Sequence, residues 1–162
     1  MVFRSHKDKS DPVKSWHRPD RLFFASGACH ILAHAFLQRY PDCDFRPIYI
    51  CPHQGFRGSH VVVSDGEAIF DYHGYSDHGL FMAHYFTKLR RFFPGWQADL
   101  IWIEGSLVNS GFCGPYQHRM PEQYLHDPMP RALAFIECFP KPGKVKSERA
   151  VLSNFLPAVV RG

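Results

Sequence analysis

Ser59-His60-Val61-Val62-Val63-Ser64-Asp65-Gly66-Glu67-Ala68-Ile69-Phe70-Asp71-Tyr72 is the stretch that decides the fold. Two runs of β-branched and aromatic residues flank Asp65-Gly66, a dipeptide that tolerates positive φ and so marks a two-residue hairpin turn. A turn centred on that dipeptide sets Ser64 opposite Glu67, Val62 opposite Ile69 and His60 opposite Asp71. Opposed residues of an antiparallel ladder project to one face with Cβ atoms about 4.5–5.5 Å apart. The imidazole and the carboxylate are therefore expected to hydrogen-bond. Val62 and Ile69 share their face, while Val61, Val63 and Phe70 take the other. Both faces are apolar, so the hairpin is expected to be buried on both sides, where a charged pair needs partners.

Upstream, Ala28, Ile31, Leu32, Ala35 and Phe36 recur at helical spacing. Ser26 is the expected N-cap, and Tyr40-Pro41 ends the helix because the residue before proline avoids the α region. Cys29 falls in the first turn. There the free N–H groups and the helix dipole favour a thiolate and suit a developing oxyanion. A strand is expected over 47–51, followed by a glycine-bearing loop over 54–58. Downstream, the pattern predicts a helix over 77–92, capped by Ser76, with Phe81, Tyr85, Leu89 and Phe92 on a core face. Pro94-Gly95 stops it. A buried strand over 99–103, a long loop over 105–130 that walls a cleft and a short helix over 131–138 complete the pattern. Residues 1–20 are expected as a loosely held arm, and 141–162 carry no readable periodicity. Neither repeats nor low-complexity blocks occur, so 1–162 is expected to be one domain.

The composition is that of an ordinary globular chain: 162 residues, 45% hydrophobic and 21% charged. The net charge of +4 is scattered, without a basic run suited to a phosphate backbone, so no nucleic acid partner is expected. No stretch approaches the roughly 20 apolar residues of a membrane span, and the first residues lack an apolar signal core. The expected location is the cytoplasm, or export without a cleaved signal. Five cysteines without a C-x-x-C pair argue against a disulfide framework and a zinc ribbon. Cys43, Cys51, Cys113 and Cys138 are read as structural and Cys29 as reactive.

These residues define a mechanism. His60 takes the Cys29 proton, Asp71 orients the imidazolium, and the thiolate attacks a carbonyl to give a thioester. The helix opening Ser26-Gly27-Ala28-Cys29-His30, a strand headed by His60 and a next strand carrying Asp71 resemble the core of papain-like folds. The layout is most similar to the transglutaminase-like branch, with its bacterial glutamine deamidases and effector toxins, over about residues 22–75. Papain's own long Cys–His separation and local cysteine motif are absent. The resemblance implies an α+β fold with the Cys-bearing helix packed on a mostly antiparallel sheet. It implies a protein or peptide substrate, acted on by deamidation, peptide hydrolysis or transamidation. The mechanism calls for no cofactor and no metal.

Other residues carry alternatives. His73, two residues past Asp71, either extends the pair or is a solvated turn histidine. His17, Ser26 and Gln54 are candidates for a second oxyanion donor. His30 and His34 have the i, i+4 spacing of metal ligands, which would make a metal-dependent hydrolase. They lack the glutamate of a metalloprotease motif, however, and lie off the core stripe, so they are read as exposed. His126-Asp127 is a rival pair on a Pro-flanked loop. A catalytically idle interaction module is the alternative from another class.

Overall fold

The computed structural model describes residues 11–143, so parts of the expected arm and tail, 1–10 and 144–162, lie outside the described residues. The hairpin forms β2 (His60–Ser64) and β3 (Ala68–Asp71), and every residue of both strands is buried. Its turn differs from expectation. The Asp65 carboxylate accepts from the backbone N–H of Glu67 and Ala68 at 3.0 and 2.7 Å. Ser64 Oγ accepts from the Gly66 N–H at 3.0 Å. These local bonds centre the turn on Gly66-Glu67, with Gly66 alone at positive φ, 93°. Val63 therefore pairs with Phe70 and Ser64 with Ile69, two residues away from the expected ladder. His60 and Asp71 are diagonal neighbours rather than directly opposed. A shift of two leaves each side chain on its own face. Accordingly Val62 and Ile69 cluster with Ile48 on one face, and Val61, Val63 and Phe70 join the main core on the other.

β1 (Arg46–Pro52) pairs with β2, β4 (Gly74–Asp77) with β3, and β5 (Ala98–Trp102) with β1, all antiparallel. The sheet order is β4-β3-β2-β1-β5, and the fold is α+β. β5 was expected to be buried. It is an edge strand with Leu100 and Trp102 each 44% exposed, so its apolar run reflects pairing rather than burial.

Helices cover both faces. α1 (Pro12–Trp16) and α2 (Asp20–Ala25) replace much of the expected loose arm. A residue distant in sequence holds them: Arg131 donates to the carbonyls of Trp16 and Arg18, both at 2.6 Å, and to Asp20 at 2.8 Å. α3 (Cys29–Arg39) lays Phe36 on Phe70, ring centroids 4.6 Å apart. On the opposite face α4 (His78–Phe92) sets Phe81 and Met82 against Ile48, Val62 and Ile69. Its N-cap is Asp77, accepting from the Leu80 N–H at 2.9 Å, and not Ser76, which belongs to β4. No residue of α4 is fully buried and Phe92 is 46% exposed, because this outer helix is covered on one side only. The 105–130 segment holds α5 (Ser110–Cys113) and a 3-10 turn (Pro121–Gln123). α6 (Pro128–Ile136) starts three residues earlier than expected, capped by Asp127, and packs beside α3. Among the described residues no helix is long and apolar enough to cross a membrane.

Candidate active site

The chain enters α3 by an abrupt reversal. Ser26 closes α2 with its N–H on the Phe23 carbonyl at 3.2 Å, so it does not cap α3 as expected. Gly27 follows at φ 113°, a conformation that glycine reaches without strain. Ala28 is the N-cap and makes no side-chain capping bond. The first-turn N–H groups around Cys29 are thus free of a capping side chain, and their dipole faces the buried thiol.

Cys29 stands on one side of the sheet and His60 on the other, and they meet around the end of β2. The His60 Nε2–H donates to Asp71 Oδ2 at 3.0 Å, with the two side chains 5% and 2% exposed. The diagonal register sets the two residues about 7–8 Å apart, with Cβ atoms somewhat closer, a gap that a ring and a carboxylate span. With Nε2 engaged, the Nδ1 side of the ring is left for Cys29, and the sulfur and the ring each favour the other's charged form. Asp71 also accepts the His73 N–H at 2.8 Å, and the half-exposed His73 ring lies 3.3 Å from the same carboxylate. His73 extends the pair on its solvent side. The rings of Tyr85 and Phe81 stack against His60, with centroids 5.7 and 6.4 Å away. The stripe on α4 that was read purely as core therefore also walls the imidazole.

Each charge in this row favours the next. Burial works to raise the Asp71 carboxyl, but hydrogen bonds from His60 and His73 and the charge of His60 hold it well below the ordinary 3.8. Burial works to lower His60, but the bond to Asp71 and the neighbouring Cys29 sulfur push it up from 6.5 to about 9. Burial works to raise Cys29, yet the neighbouring His30 and His60 rings and the charge of His60 bring it well below 9.0. Burial raises the thiols of Cys43 and Cys51, so Cys29 moves the opposite way from these two.

The other candidates separate. His17 is an exposed cap at the end of α1 and Gln54 is exposed beyond β1. Neither these nor Ser26 is singled out as a second oxyanion donor. His126 packs its ring on Trp16, while Asp127 caps α6, so that rival pair does not converge. The alternative metal pair of His30 and His34 is not formed: Nε2 of His34 lies 3.1 Å from Gln38 Nε2. His30 is fully buried rather than exposed, because the 105–130 segment closes over its side of α3. Its Nε2–H donates to the Arg119 carbonyl at 2.8 Å and its ring lies 4.6 Å from that of His118. Cys29, His30 and His118 each offer one ligand atom, all within 4.8 Å of one another.

Sequence reasoning missed His118, Arg119 and Tyr124. Tyr124 donates its hydroxyl to the Gly27 carbonyl at 2.6 Å, and the Arg119 guanidinium lies 4.7 Å above the Tyr124 ring. The available signal was Tyr116-Gln117-His118-Arg119, a polar and aromatic run inside a Gly/Pro-rich loop, which says nothing about which helix it covers. No family model matches the chain, and neither a curated protein nor a solved structure matches it.

Proposed function

We propose that this chain is a cysteine-dependent acyl-transfer enzyme acting on an amide of a protein or peptide through a thioester. One observation carries the reading: a buried imidazole held 3.0 Å from a buried carboxylate is electrostatically coupled to a buried thiol at the head of a helix, each favouring the other's charged form. His60 takes the proton of Cys29, and the thiolate adds to the amide carbonyl. The oxyanion is received by the N–H of Cys29 in the first turn of α3. His60 returns the proton to the departing amine or ammonia, leaving a thioester. It then takes a proton from water or an incoming amine, which attacks the thioester, and the sulfur departs. Asp71 keeps its charge throughout and stabilises the imidazolium. The same centre serves deamidation of glutamine, peptide cleavage and transamidation. Its Cys-His-Asp order supports a papain-like, transglutaminase-like assignment.

The test is wild type against Cys29→Ala on a panel of glutamine-containing proteins, scored by mass spectrometry for deamidation, cleavage and cross-links. Wild type is expected to modify a member and the variant none. Iodoacetamide near neutral pH is expected to label Cys29 far ahead of the other cysteines. A panel untouched by wild type, with all five cysteines labelled slowly and equally, would favour the catalytically idle module and sink the enzyme.

A further inference from the structure

We propose that Cys29, His30 and His118 form a binding site for zinc, and that capture of the metal silences the nucleophile. The silencing rests on the reading of Cys29 above; the site rests on geometry alone. Three donor atoms within 4.8 Å of one another are near the spacing of a tetrahedral zinc shell, where bonds of about 2.0–2.3 Å set neighbouring donors about 3.5 Å apart.

The second observation is the state of the two rings. His30 is fully buried, and its Nδ1 has no hydrogen-bond partner among the described residues; nor has Nε2 of His118. The other nitrogen of His30, Nε2, donates to the Arg119 carbonyl at 2.8 Å. That bond holds a proton on Nε2 and leaves Nδ1 as the atom for a metal, which would displace any proton there; metal-bound imidazoles are held by their outer partners in this way. A thiolate and two imidazoles are donors for zinc and similar borderline-soft cations, not for calcium or magnesium. The neighbouring carboxylate, Asp71, is committed to His60 and His73. Three protein donors leave the fourth position open, so the metal is removable rather than sealed in. On binding, any proton on the sulfur or on Nδ1 of His30 leaves to solvent, and the sulfur lone pair that would attack a carbonyl becomes a bond to the metal.

The test uses the whole chain. One equivalent of Zn2+ is expected to protect Cys29 of the metal-free wild type from iodoacetamide, and EDTA to restore labelling. Co2+ is expected to give a thiolate-to-cobalt charge-transfer band, lost in Cys29→Ala and requiring at least about tenfold more metal in His118→Ala. Asp71→Asn keeps all three donors and is expected to keep the band. Unprotected Cys29 under excess zinc, a cobalt spectrum without the sulfur band, or full amide turnover by the zinc-loaded protein would overturn the proposal. A cobalt band in a protein without amide activity would retain the site and remove only the enzyme. Activity without the band would do the reverse.

Discussion

Two of the His–Asp pairs around the sheet differ chiefly in their exposure. His60 and Asp71 lie 3.0 Å apart with side chains 5% and 2% exposed, whereas His53 and Asp99 lie 3.2 Å apart at 45% and 71%. Distance barely separates them. Water does. At the exposed pair solvent screens both charges and the pairing is worth little. At the buried pair neither charge has another escape, so each fixes the other's protonation and the thiol beside them inherits the field. A hydrogen-bonded His–Asp contact is therefore not in itself a sign of catalysis; burial and a third partner make the difference.

Activity should divide the pairs most widely. His60→Ala is expected to lower kcat on whichever amide substrate is found by about a millionfold, as loss of a general base does elsewhere, while His53→Ala stays within about twofold of wild type. Equal losses in steady-state assays would break the contrast. Stability should separate them next. Asp71→Ala leaves an uncompensated buried imidazolium and is expected to cost about 3–5 kcal/mol; Asp99→Ala is expected to cost below about 1 kcal/mol. Urea unfolding of the two variants measures both.

The subtlest difference is in pH. His60 is raised from 6.5 to about 9, so its contribution is full below pH 6.5 and fades as pH rises through about 9. Cys29 is lowered from 9.0, so its contribution is full above pH 9.0 and fades as pH falls through its folded value. His30 is likewise raised from 6.5 to about 9. Between pH 6.5 and about 9, folding therefore places protons on two rings and removes one from sulfur, a net uptake of about one, so wild-type stability is expected to decline as pH rises. Cys29→Ala removes the opposing group, and its stability should decline more steeply. Urea midpoints at several pH values would show it, and a wild type that gains stability across the window would refute the ion pair.

The hairpin and the Cys-bearing helix were legible because their signals are local: alternation, a turn dipeptide, apolar spacing. Even there the register slipped by two, since the choice between turns rests on where the Asp65 and Ser64 side chains bond, which composition does not encode. An even slip preserves faces, and the His60–Asp71 pair survived it. The far half of the pocket was not legible. His30 looked exposed because helical spacing placed it off the core stripe, and only the fold reveals that His118 and Arg119 lie over it. Loops that supply contacts at long sequence separation leave no periodic trace.

The rings beside His60 carry one more consequence. Tyr85 lies within 14° of parallel to the imidazole, Phe81 within 28°, and Tyr72 meets it edge-on at 66°. Tyr85 and Phe81 lie only 5.8 Å from each other, so both back the same side of the imidazole while Tyr72 closes an edge. A swing of the ring toward α4 is blocked, and in the mechanism proposed above the proton is handed back from the position at which it was lifted.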